Sequence, residues 1–460
     1  MSFELQESHS NVTLDAIRRL YRRNSRVTLY KLIQKTHPSE MAWIYRYLNS
    51  AERKSIFHYI RRMEGLADFL HEIDHALVPE IFADLSPHET ASTLSNLPPE
   101  DLAELLDSFP PEQAGEIQEL LGSEDREELA EVLQYADESA GRIMSHEYMA
   151  FEENLTVAEA IQKFQQLGEE VEMPFYIYVV DGAEKMVGVL SLRQLLLNKP
   201  ETQLKTIMER DFIFVNPDED QEIVADLVTQ YNYLALPVLE SSGKLAGIVT
   251  VDDVIDIIRE EASEDMMKMA GAGEDEDILL KSTLQNAGTR FPWLMASWIG
   301  GVAALWIIGA FESLLNQTVA LVAFIPIIMG MGGNVGTQTS TIIVRGIATG
   351  HVNLEEVSKV IFKEIRVGII LGLVYGMLLG VLVYFHFVQY HSPFMLGLVV
   401  GISIFTSMSI ACLVASVFPI LLEKVNIDPA ISTGPFVTTA IDIIGIYSYF
   451  LIAGSLLPLK

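Results

Sequence analysis

Asp442 lies in PFVTTAIDIIG, within a stretch from Pro429 to Leu459 that carries no other charge. A carboxylate inside an apolar span is costly in lipid and usually marks an ion or proton path. About thirteen residues separate it from Pro429, which at about 1.5 Å per residue puts it near mid-depth. A second candidate is Pro326–Gln338, PIIMGMGGNVGTQ. Here Gly and Pro could open the backbone to line a polar path, with Asn334, Thr337, Gln338 and Thr339 supplying oxygens. The competing reading is close helix packing through small residues. The glycine spacing imitates a dinucleotide fingerprint, but no soluble strand precedes it.

Two further groups carry possible cation chemistry. In Val251–Asp265, the acids Asp253, Asp256, Glu260 and Glu264 recur on one helical face, with Glu261 and Asp265 beside it. Val251, Val254, Ile255, Ile258 and Ala262 form an apolar stripe at helical spacing. Crowded carboxylates repel one another, and a bridging divalent cation removes that repulsion. A solvated acidic face is the alternative; the position just before the membrane half favours a sensor. The string His71-Glu72-Ile73-Asp74-His75 has the HExxH form that can hold zinc on a helix. It lacks a recognisable third ligand or cleft, so it reads as exposed polar positions of a helix.

The elements that must position these residues fall into two halves. The 460 residues carry 62 acids and 31 bases, a net charge of -31, which disfavours a nucleic-acid partner. From Phe291 onward there are seven acids and six bases, leaving 55 and 25 in residues 1–290. An acidic module is thus joined to an apolar one long enough for five spans: Phe291–Phe311, Ser313–Val344, two in Val367–Leu422 with a turn near His386–Pro393, and Pro429–Leu459. Arg345, Lys359, Lys363 and Arg366 occupy one interspan loop and Lys424 another, while the opposite loops carry no Lys or Arg. This places the acidic half in the cytosol and Lys460 outside. The N-terminus shows no signal-peptide pattern, and the single Cys412 allows no internal disulfide.

Two repeats organise the acidic half. LSPHETASTL, LPPEDLAELL, FPPEQAGEIQ and LGSEDREELA recur at a period near 12 and predict short helices stacked as a superhelix. Residues 139–265 hold two copies of a strand–helix–strand–strand–helix unit, the second containing LPV and GKLAGIVTVDDV. These copies resemble a tandem pair of CBS (cystathionine-β-synthase-type) domains, a resemblance that implies ligand sensing, often of a nucleotide.

Taken in order, AFESLL, GGNVGTQ, VNIDPA and PFVTTAIDIIG resemble the MgtE family of magnesium channels and transporters. The resemblance implies an all-α N domain over 1–138, α/β tandem CBS domains over 139–262, a connecting plug-like helix over 263–290 and an α-helical five-span domain over 291–460. It implies a non-enzymatic, plasma-membrane homodimer taking up Mg²⁺ through a pore between subunits, with Asp442 binding the hydrated ion. Gly333, Asn334 and Gln338 are the accompanying pore candidates, and Glu312 a candidate acid at the outer mouth. Cytosolic Mg²⁺ sensing would fall to Asp220, Glu222, Asp253, Asp256, Glu261, Glu264, Asp265 and Asp428; Asn232 stands where the family pattern leads us to expect an acid. ATP is a candidate ligand of the CBS pair. The rivals are a broader conduit for Co²⁺, Mn²⁺ or Ni²⁺ and a membrane-tethered nucleotide receptor without transport. Hard oxygens and the lack of suitable Cys or His in the spans favour Mg²⁺ or Mn²⁺. No nucleophile–base pair in the spans supports an intramembrane enzyme.

Overall fold

The computed structural model describes residues 3–95, 97–167, 175–273, 282–352, 357–388, 392–425 and 427–457. It divides into two compact units, 1–261 and 262–460. Residues 274–281 of the connecting helix expected over 263–290, and 389–391 of the turn expected near His386–Pro393, lie outside the described residues.

The first unit opens with short helices around a core that includes Ile17, Ile33, Tyr45, Phe69, Phe82, Leu106 and Val132. The period-12 phrases become the helices Pro87–Leu94, Pro99–Asp107, Pro111–Leu120 and Ser123–Val132. Three of them start on proline, whose fixed φ suits the first helical position and whose missing N–H costs nothing there. Ser86 caps the first: the Glu89 amide donates to its hydroxyl and its own amide donates to the Glu89 carboxylate. Such a cap is worth about 1 kcal/mol.

The two-copy α/β region follows. In the first copy Ala150–Glu152 pairs parallel with Tyr176–Val180, which pairs antiparallel with Met186–Ser191. The second copy keeps the antiparallel pair Ala235–Leu239 and Leu245–Thr250. Its expected first strand shrinks to one bridge, Val215 with Val238. Pro217 follows two residues later and has no N–H to extend the ladder. Asn232, where an acid was expected, closes the helix Gln221–Tyr231 with φ 54° and ψ 43°. That left-handed C-cap suits Asn.

One continuous helix, Val251–Ala270, contains the expected domain boundary at 262–263. Its buried residues are Val254 and Ile257, whereas Ile255 and Ile258 are exposed. The core-facing stripe is therefore narrower than the apolar pattern suggested.

Among the described residues, the second unit holds five helical segments long and apolar enough to span a membrane: Thr283–Ala310, Val319–Ala348, Val357–His386, Pro393–Glu423 and Pro429–Leu456. The basic residues expected in the loop between the second and third lie on helix ends instead. Arg345 is in the last turn of Ile325–Ala348, and Lys359, Lys363 and Arg366 lie near the start of Val357–His386. Third and fourth spans meet along glycines. A β-carbon on Gly376 would lie 2.5 Å from the Gly401 carbonyl oxygen, and one on Gly397 would lie 2.6 Å from that of Gly380. Small residues allow this backbone approach, which is the source of helix association in lipid. Gly376→Val should therefore destabilise the bundle by about 1–3 kcal/mol. The check is thermal unfolding of the detergent-solubilised protein; an unchanged midpoint would refute the packing role.

Candidate ion path and cation-sensing clusters

The segment PIIMGMGGNVGTQ lies at the N-terminal half of an unbroken helix, Ile325–Ala348, so Gly and Pro do not open its backbone. Two glycines serve packing instead. A β-carbon on Gly332 would sit 3.2 Å from Ile441 Cγ2, and one on Gly336 would sit 2.1 Å from Ile441 Cδ1. This closeness seats the fifth span, Pro435–Leu456, against the second. Asp442 Oδ1 then comes within 3.8 Å of where a Gly333 β-carbon would be. The neighbouring face of the second span exposes Gly330, Asn334, Gln338, Thr341 and Arg345. The steps of three and four residues make this one polar stripe on a helix otherwise rich in apolar residues. An amide facing hydrocarbon is costly, so such a stripe needs water or a polar partner. Glu312 is exposed at the start of the short helix Glu312–Gln317.

Asp442 is not the lone acid inside the apolar half. Glu364 lies within Val357–His386 and is 5% exposed. The Thr339 hydroxyl donates to it at 3.4 Å and reaches Cys412 Sγ at 3.5 Å. The sequence hid this carboxylate because Lys363 and Arg366 flank it and made the segment read as a loop.

The eight expected sensor acids separate into three groups. Glu264, Asp265 and Asp428 gather around Lys268. Its ammonium donates to Asp428 Oδ2 at 2.7 Å and also pairs with Glu264. Burial opposes the lysine's charge, yet its hydrogen bonds to Asp428 and Glu264 raise its pKa above the usual value. Burial, followed by the Asp428 charge, pushes Asp265 upward. This joins the C-terminal end of Val251–Ala270 to the approach of the fifth span, where a β-carbon on Gly434 would lie 3.2 Å from the Met269 carbonyl oxygen.

Asp220 caps Gln221–Tyr231 by accepting from the Glu222 amide, and Gln221 donates to Glu261 at 2.7 Å. These acids serve the local fold as well as any ion.

Of the third group, Asp253 lines an acidic cavity of about 210 Å³, while Asp256 lies off its lining and pairs with Arg259. The cavity is lined by acids that include Glu100, Asp101, Glu147, Asp252 and Asp253. Burial pushes Glu100 up to about 7 and Asp253 up to about 6, the latter against a hydrogen bond from Thr250. Glu100 Oε2 is buried without a hydrogen-bond partner. His71, on the cavity wall, is raised to about 10 chiefly by its hydrogen bond with Asp101 at 3.1 Å. Its other ring nitrogen lies 3.9 Å from Asp256. The HEIDH histidines are thus paired with carboxylates rather than freely solvated. Sequence patterning could not reveal this grouping, because Glu100 and Asp101 lie in one helical repeat and Glu147 in the first α/β copy.

A second cavity of about 340 Å³ lies between the two α/β copies. Tyr176, Phe212 and Tyr233 offer aromatic walls, and Arg193 and Asp211 opposite charges.

Comparison with known proteins agrees with this architecture. Residues 325–452 match the family model described as "Divalent cation transporter" (MgtE), residues 36–138 the MgtE intracellular N domain, and 140–200 and 204–260 the CBS domain. A protein named Magnesium transporter MgtE from Enterococcus faecalis is 37% identical over 419 residues, 91% of each chain. One of the same name from Bacillus subtilis is 37% identical over 321 residues, 70% of each chain. A solved structure titled as the cytosolic domain of the Mg²⁺ channel MgtE in complex with ATP is 29% identical, with a TM-score of 0.50. It covers 53% of this chain and 99% of its own.

Lys268→Ala would leave Glu264, Asp265 and Asp428 without their internal cation. The thermal midpoint should fall in EDTA and recover with added Mg²⁺ more strongly than in the unaltered protein. Equal Mg²⁺ responses would dismiss the lysine as the neutralising group.

Proposed function

This chain belongs to the MgtE family of magnesium transporters, and we propose from that premise that Mg²⁺ crosses beside the stripe bearing Asn334, Gln338 and Asp442. It is a multi-pass membrane transporter with a cytosolic N-terminal half, and not an enzyme. The observation that carries the path is the exposed polar face of the second span, with Asp442 against Gly333 beside it.

Mg²⁺ takes six oxygens in an octahedron at about 2.0–2.1 Å and sheds water reluctantly. One carboxylate and two amides per chain are too few to replace that water. They suit outer-shell contacts to a hydrated ion, the more so if a second copy presents the same stripe. A homodimer with the pore between subunits, and a C-terminus outside, complete this reading. The negative-inside potential favours entry by about 2.3 kcal/mol per charge per 100 mV.

Regulation follows from the acidic half. Mg²⁺ entering the group at Glu264, Asp265 and Asp428, and the cavity beside Asp253 and Asp256, would lower carboxylate repulsion. An arrangement stabilised in this way gains population as cytosolic Mg²⁺ rises. If that arrangement is closed, transport limits itself. Asp220, Glu222 and Glu261 form a further candidate position. A nucleotide such as ATP is proposed for the 340 Å³ cleft, where aromatic walls suit a base and Arg193 suits phosphate.

The test of the path is Mg²⁺ uptake into proteoliposomes. Asp442→Ala and Asp442→Asn should abolish or sharply reduce flux while the protein still inserts and unfolds normally. Normal flux in either variant would overturn the assignment.

A further inference from the structure

The acidic cavity borders a cluster whose chemistry differs from that of the Mg²⁺-type carboxylate groups. The helix Leu66–His71 ends on its own histidine, and a 3₁₀ turn, His75–Leu77, begins four residues later. The two imidazoles of HEIDH therefore do not share one helix, which removes the protease-like arrangement. Both instead reach the same neighbouring helix, Pro99–Asp107. Asp101 and Glu104 stand three residues apart there, on one face. His71 Nδ1 lies 3.1 Å from Asp101 Oδ1, and His75 Nε2 lies 3.4 Å from Glu104 Oε1. Ligand atoms of His71, Asp101 and Glu104 all fall within 4.8 Å of one another. Bonds of about 2.0–2.2 Å to a shared metal need only small side-chain movements from there.

We propose that His71, His75, Asp101 and Glu104 bind a transition-metal cation of the Zn²⁺ class. Two imidazoles and two carboxylates make a four-ligand set suited to Zn²⁺, Co²⁺ or Ni²⁺. Mg²⁺ gains little from nitrogen and keeps its water, so it competes poorly for the two rings. All four side chains retain solvent access, with relative exposures of 35%, 38%, 19% and 49% for His71, His75, Asp101 and Glu104, so an ion can enter. Binding would pull the 66–77 segment onto the helix Pro99–Asp107. It would also redirect His71 Nε2, which lies 3.9 Å from Asp256 of the helix Val251–Ala270. A transition metal would thus act on one of the proposed Mg²⁺-sensing acids without entering the pore.

The experiment is Zn²⁺ binding by titration calorimetry to the full chain in detergent, in excess Mg²⁺, with the unaltered protein and the pair His71→Asn/His75→Asn. The expected result is a Zn²⁺ equivalent that Mg²⁺ does not displace and that weakens about tenfold or more in the variant. Identical isotherms for the two proteins, or displacement by Mg²⁺, would overturn the proposal. Should the variant fail to fold, Co²⁺ added to the unaltered protein decides the matter. Intense visible bands of four-coordinate Co²⁺, quenched by Zn²⁺, are expected. The pale spectrum of hydrated six-coordinate Co²⁺ alone would refute the site.

Discussion

A carboxylate removed from water must gain a cation, a hydrogen-bond donor or a proton, because its bare charge is prohibitively costly there. Each candidate functional position in this chain is a different answer to that demand. Glu364 takes a hydroxyl from Thr339. Asp428 and Glu264 take the ammonium of Lys268. Glu100 and Asp253, buried beside one cavity, have raised pKa values. Asp442 lies beside an exposed amide stripe, the place proposed for a hydrated ion. The proposed ion path and the proposed sensor both rest on this graded set of partners.

Close backbone packing makes the arrangement possible. Gly332 and Gly336 bring the second span against Ile441, and that contact sets Asp442 at the height of Gly333. The glycine faces of the third and fourth spans form a separate pair whose outward surfaces are apolar. The lipid-facing part of the bundle is thus held by shape, and the exposed polar stripe with Asp442 beside it lies on the second and fifth spans. In the cytosolic half, proline starts and capping boxes play the corresponding role for short helices that could not form alone.

Much of this was legible in the sequence. Four long apolar stretches with Asp442 as their one charge, a period of 12, and a twofold strand–helix pattern each follow from how apolar residues must be buried, so the fold class could be read directly. Asp442 stood out because a lone charge in an apolar run has few structural uses. Local patterning failed where tertiary contacts decide. Glu364 looked like part of a charged loop because its partner Thr339 is on another span. HEIDH looked like solvent-exposed helix because Asp101 and Glu104 come from a later repeat. The pairing of Lys268 with Asp428, 160 residues away, leaves no local pattern to read. In PIIMGMGGNVGTQ, Gly332 and Gly336 pack against neighbouring spans, as the small-residue reading expected, and the backbone stays helical instead of opening.

The most direct measurement is Mg²⁺ flux into oriented proteoliposomes while Mg²⁺ on the cytosolic face is raised. Unaltered protein and Glu264→Gln/Asp428→Asn would be compared at one external Mg²⁺ concentration. If cation neutralisation of crowded carboxylates controls the path, flux falls as cytosolic Mg²⁺ rises and the variant needs more Mg²⁺ for the same fall. Flux that ignores cytosolic Mg²⁺, or an identical midpoint in the variant, would contradict it.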